Sequence, residues 1–178
     1  MSPMPQSSAS SLVWPLTVRI AHWSVAAVVL FNLFNESGGK THRYAGYVAA
    51  GFVAARCLFG LLPPRRASSP YWPTPSACLA HLRSMLRGAP AHSDGHNPLG
   101  MAMAIALWTL VLLLALTGWI SRWDRFWGED WPITLHSGLS TILQYAVLAH
   151  LAGVAVSSVL ERRNLVVAMI TGRKRPGS

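Results

Sequence analysis

Imidazoles are the side chains of this sequence best placed to do chemistry. Seven histidines occur, and four of them, His22, His42, His136 and His150, fall inside or at the start of long apolar stretches. An ionisable group in hydrocarbon is costly and marks a functional site by default. One such imidazole is readily a hydrogen-bonded packing residue; four need a joint explanation. His136 and His150 are 14 residues apart, which on a helix is about 1400°, about 40° short of whole turns, and about 21 Å of axial rise. They therefore leave one face of one helix at two levels. Imidazole is also the commonest metal-ligating side chain, so metal or metallo-cofactor chemistry at two depths is the reading these residues invite.

The elements that must hold them follow from composition. The chain has 178 residues, 52% apolar and 12% charged, about half the charged fraction of an ordinary soluble domain. Four stretches, 13–34, 42–62, 98–120 and 136–160, are long enough to cross a bilayer as helices of about 20 residues. The third has no charge between Met101 and Ile120. The first is expected to stay in the mature protein, because it holds Arg19 and His22 and has no small-residue cleavage site before Asn35-Glu36-Ser37. Pro63-Pro64 ends the second stretch. Asn97-Pro98 opens the third, with Asn as cap and Pro in the first turn. A surface helix over 76–87 is expected inside the connecting segment 63–97, since Leu79, Leu82 and Leu86 recur at helical spacing.

The net charge of +9 has a bland source. With four spans, ten Lys and Arg fall on the side of the termini and of segment 63–97, against Lys40, Arg43, Arg122 and Arg125 on the other side. The positive-inside rule then places both termini in the cytoplasm, with the tail 161–178 on that side too. Nucleic-acid binding has nothing else in its favour. Trp119, Trp123, Trp127 and Trp131 cluster at the external end of the third span, as an interfacial aromatic belt does. No internal repeat is present, and the chain reads as one domain over 1–178.

Threading the spans sorts the four imidazoles into couples, His22 with His150 in the cytoplasmic half and His42 with His136 in the periplasmic half. Two facing imidazoles on helices far enough apart to admit a flat macrocycle suit a six-coordinate b-type haem, which leaves no open iron position and favours electron transfer. The fold class expected is an all-α, membrane-embedded four-helix bundle holding two b-type haems. Each haem is non-covalent, because Cys57 and Cys78 are isolated and no Cys-x-x-Cys-His is present. Gly46, Gly138 and Gly153 lie near the imidazoles; they either let a flat ligand approach or let helices pack closely. Arg19, three residues before His22, and Arg56, near the cytoplasmic end of the second span, are candidates for the haem propionates, with snorkelling to the headgroups as the alternative. His81, His92 and His96 belong to the connecting segment. His92 and His96 flank Ser93-Asp94-Gly95, but lack a fourth ligand and a rigid frame, so they read as a solvated loop.

These residues resemble a known family. Trp14…Arg19-x-x-His22-Trp23 resembles the opening motif of bacterial cytochrome b561 and of the b-type cytochrome subunits of nickel–iron hydrogenases. His42-x-x-x-Gly46-Tyr47, Arg56-x-x-x-Gly60, Gly95-His96-Asn97-Pro98-Leu99-Gly100, Thr117-Gly118-Trp119 and Glu161-x-x-Asn164-Leu165 are similar to later segments of that family, although Pro15 stands where it often has Asp. The resemblance covers nearly the whole chain. It implies four transmembrane helices, two b haems ligated by His22, His42, His136 and His150, and electron transfer between membrane quinone or quinol and a redox partner. A periplasmic c-type cytochrome or a hydrogenase-like subunit is the expected partner, with the external segment 121–135 as a docking patch. The implied location is the bacterial inner membrane, and the chain would be an electron-transfer protein or the cytochrome subunit of an oxidoreductase complex. A histidine-lined transition-metal transporter and a haem-free anchor subunit are the alternatives, and a homodimer stays open.

Overall fold

The computed structural model describes residues 14–61, 73–87 and 97–172. Among the described residues the chain is all-helical: α1 (Leu16–Phe34), α2 (Lys40–Leu61), α3 (Pro75–Leu86), α4 (Pro98–Ile120), a 3-10 turn (Asp124–Phe126), α5 (Trp131–Leu160) and α6 (Leu165–Thr171). The expected loop character of His92, Asp94 and His96, and the basic residues Arg65, Arg66, Arg173, Lys174 and Arg175, lie outside the described residues.

Local chemistry sets the helix ends. Asn97 caps α4 by accepting from Gly100 N at 2.6 Å, and Pro98 fills the first turn where its missing N–H is not needed. Thr74 caps α3 in the same way, accepting from Ala77 N at 3.2 Å ahead of Pro75. The α1–α2 turn needs a glycine at Gly38, whose φ of +64° lies in the left-handed region. α5 starts at Trp131, five residues before the expected 136, because Pro132 is compatible with a first turn and is fully buried there. α6 falls inside the segment expected to be tail. Asn164 caps it by accepting from Val167 N at 3.0 Å, and Gly172 closes it at φ +76°.

Among the described residues, three helices, α1, α4 and α5, are long and apolar enough to cross a membrane. α2 has 22 residues and carries Lys40 and Arg43 in its first turn and Arg56 nearer its other end. It nevertheless packs between two apolar neighbours: α1 lies on α2, α2 on α4, α4 on α5, α3 on α4 and α6 on α5. At 30 residues, α5 runs about 45 Å, longer than a hydrocarbon core of about 30 Å, so it tilts or projects beyond it.

Buried side chains are few and small. Ala49, Val53 and Val111 form a core where α1, α2 and α4 meet, with Val25, Val28, Val29, Cys57 and Trp108 packed around it. Small residues at such a seam let helix backbones approach, and dispersion replaces the hydrophobic effect where the surroundings are already apolar. Large apolar side chains instead point outward along α1, α4 and α5, including Ile20, Phe31, Leu116, Leu148 and Val159. A water-soluble monomer does not expose so much contiguous apolar surface; lipid accounts for it.

Gly172 joins the two ends of the described chain. A Cβ placed on it would sit 2.9 Å from Trp14 O and 3.0 Å from an Arg19 nitrogen, and its φ is left-handed. The Gly172→Ala variant is therefore expected to lose about 1–2 kcal/mol from backbone strain alone, and more from the clash. The check is thermal unfolding of the detergent-solubilised protein, with proteolysis beyond α6 reporting local release.

Candidate functional site

The four imidazoles stand on three helices, His22 on α1, His42 on α2, and His136 and His150 on α5. All four are half-buried. The structure brings His22 and His150 together with ring centroids 6.3 Å apart and planes inclined by 57°. His42 and His136 meet at 6.2 Å, inclined by 69°. In each case the rings face across a helix pair, α1 with α5 or α2 with α5, that is not among the closely packed pairs. α4 packs on both α2 and α5, and α1 packs on α2.

Those distances bear on what fits. A five-membered ring with bonds of about 1.33 Å places its nitrogens about 1.1 Å from the centroid. A metal–imidazole bond of about 2.0–2.1 Å then puts two trans imidazoles on one metal at a centroid separation of about 6.2–6.4 Å. Both couples match. Among the described residues no three His, Cys, Asp or Glu side chains gather to hold a metal ion; the donors come in twos. A two-donor site suits a metal that brings its remaining ligands in a macrocycle, as haem does.

The hydrogen bonds of the His42/His136 couple set which ring nitrogen is free. His42 Nδ1 lies 2.7 Å from the Asn35 carbonyl oxygen. A carbonyl only accepts, so Nδ1 carries the proton and the neutral ring keeps its lone pair on Nε2. Asn35 is the residue that closes α1, where carbonyls are without helix partners. Asn32 fixes the same corner from the side, its Nδ2 donating to the His42 carbonyl at 2.9 Å. His136 Nδ1 lies 3.0 Å from Thr117 Oγ1 on α4.

The glycines divide. A Cβ at Gly138 or Gly153 would meet nothing within 4 Å, so helix packing does not explain either. At Gly46 it would touch Asn32 Nδ2 at 3.5 Å, and at Gly118 it would press on the His136 ring at 3.2 Å.

The arginines are placed differently from one another. Arg19 donates from Nη2 to the Ile170 carbonyl at the end of α6, where the helix terminus favours a cation, and its Nε is buried without a partner. Arg56 lies over the Trp108 ring, 5.7 Å from the centroid, joining α2 to α4. Arg43, beside His42, also has a buried Nε with no partner. In the sequence Arg43 stands only as one of the few cations of its side, and its adjacency to His42 is the signal for a further role. None of the three has a carboxylate partner among the described residues. An anionic group with several acceptor oxygens would satisfy what they leave open. The aromatic rings between α4 and α5 form a chain of contacts, Trp119 with Trp123 at 4.9 Å, Trp123 with Phe126 at 6.1 Å and Phe126 with Trp131 at 5.2 Å.

Membrane-crossing helices that group imidazoles two by two carry the donor set of a haem protein working in electron transfer. The family model for prokaryotic cytochrome b561 matches residues 13–172, and the chain belongs to that family. It is therefore a b-type cytochrome of electron transfer, from a family that binds b-type haem. No match was found among curated proteins or among solved structures.

The Arg56–Trp108 contact is expected to contribute about 0.5–2 kcal/mol, the range for exposed to desolvated cation–π pairs. Arg56→Ala should lower the unfolding temperature in detergent and Arg56→Lys should recover part of the loss. Equal melting of all three proteins would show that this contact does not stabilise the helix pair.

Proposed function

We propose that the protein is a two-haem membrane cytochrome that moves electrons between the quinone pool and a redox partner on the periplasmic side. One haem is held by His22 and His150 and the other by His42 and His136. The observation that carries this reading is the geometry of the couples: 6.3 and 6.2 Å between centroids, each across helices that are not packed on one another. Both separations suit trans imidazoles on one metal, and α5 contributes to both couples. Bound haem would supply a one-electron carrier.

The chain's own groups do the rest. Asn35 O and Thr117 Oγ1 orient the outer rings through Nδ1. Arg19 and Arg56 are assigned to the propionates of the His22/His150 haem, Arg19 through its unpartnered Nε and Arg56 from its place over Trp108. Arg43 is assigned the same role beside His42. In this reading α2 is the fourth membrane span: its cations are taken up by propionates and by Trp108, which offsets their cost in hydrocarbon. Four spans, with Lys and Arg concentrated on the side of the termini, orient the chain with both ends in the cytoplasm of a bacterial inner membrane. Segment 121–135, with its linked aromatic rings and mixed charges, then faces a periplasmic c-type cytochrome or hydrogenase-like subunit.

Haem-to-protein ratio and the reduced-minus-oxidised alpha band of the purified protein test the assignment. The wild type should bind two haems. His150→Ala should lose the haem shared with His22 and retain the other, and His42→Ala and His136→Ala should each lose the same remaining haem. Colourless protein, or His42→Ala and His136→Ala with different losses, would overturn the pairing.

A further inference from the structure

Thr117, in the last turn of α4, is the one buried polar side chain among the described residues, 7% exposed. We propose that it is a positioning residue for His136, and that its hydroxyl tunes the redox potential of the haem this imidazole ligates. The inference rests on the haem assignment above.

Three polar atoms surround Thr117 Oγ1: Leu113 O at 2.8 Å, Leu114 O at 3.2 Å and His136 Nδ1 at 3.0 Å. The hydroxyl has one proton and both carbonyls can only accept. Donation back to the carbonyl four residues earlier, the usual habit of threonine in a helix, uses that proton. The oxygen then presents a lone pair to His136, and Nδ1 must be the donor. The ring is therefore locked as the Nδ1–H tautomer, and Nε2 is the nitrogen free to bind iron.

The next residue sets the fit from the other side. A Cβ on Gly118 would stand 3.2 Å from His136 Cε1 and 3.5 Å from Nδ1, closer than most side chains tolerate without shifting. Thr117 thus holds one nitrogen of the ring, while the bare Gly118 leaves room for its edge. The partner ring, His42, is held in the same tautomer by Asn35 O. His22 and His150 have no such oxygen partner among the described residues. The outer couple alone has both Nδ1 protons on protein oxygens.

A hydrogen bond from Nδ1–H to oxygen makes the imidazole a stronger donor at Nε2. Stronger donation favours ferric over ferrous iron, which lowers the potential. Loss of the Thr117 hydroxyl should raise the potential of one haem and leave the other unchanged.

The test is a redox titration of the purified full-length protein, with the low-spin ferric electron paramagnetic resonance spectrum recorded alongside. Thr117→Val keeps shape and removes the hydroxyl; Thr117→Ser keeps the hydroxyl and removes a methyl. The Val variant is expected to move one midpoint upward and to shift one ferric signal, the one absent from His136→Ala. Should the Val variant instead lose haem, loss confined to the His136 haem, with retention in Thr117→Ser, supports the same role. Unchanged midpoints and signals in Thr117→Val, loss of both haems together, or a Ser variant that behaves like Val would overturn the proposal. Wild-type protein without two bis-imidazole haems would overturn the haem assignment itself, a result separable from any of these.

Discussion

The organising constraint is that an imidazole carried into hydrocarbon must have both nitrogens satisfied. A neutral ring has one N–H and one lone pair, and neither finds water at the middle of a bilayer. Along α5 this demand arises twice, at His136 and again at His150, about four turns further on. Each ring is met by another from a different helix, His42 of α2 or His22 of α1. Two neutral imidazoles do not complete each other well as mere packing partners. A metal macrocycle held by two such rings would satisfy their lone pairs, and the separations suit it.

Holding the rings at that separation shapes the rest of the molecule. α4 packs against both α2 and α5, so it acts as the spacer that keeps those two helices from closing on each other. Its most apolar run serves lipid and packing, and its single buried polar residue, Thr117, is spent on His136. α1 ends where its closing residue can take the Nδ1 proton of His42, so the short α1–α2 turn orients that imidazole as well as connecting two helices. The buried core stays small because lipid, rather than a protein interior, covers most of the apolar surface.

Cations inside such a structure need a reason. Arg19 has one in part: it ties the start of α1 to the end of α6, alongside the Trp14 N to Gly172 O hydrogen bond at 3.3 Å. Arg56 has one in Trp108. The unpartnered Nε atoms of Arg19 and Arg43 mark donors still available to an anion, one near each imidazole couple in sequence.

Much of the molecule could be read in its residues. α4 was legible at both ends because Asn97-Pro98 is a start signal and the run to Ile120 has no charge. The four imidazoles, their sorting into couples by depth, and the family followed from spacing and motif. Local sequence did carry signals that went unread: Pro132 for the early start of α5, and Asn164 with Gly172 for α6. Other features have no local signal at all. Arg19 and Ile170 are 151 residues apart in the chain, and the Thr117 hydroxyl reaches His136 only because α4 and α5 lie side by side. Periodicity fixes which face of a helix a residue occupies and how deep it lies. Which partner waits there, and which ring nitrogen keeps its proton, is decided by hydrogen bonds that exist only once helices distant in sequence have packed.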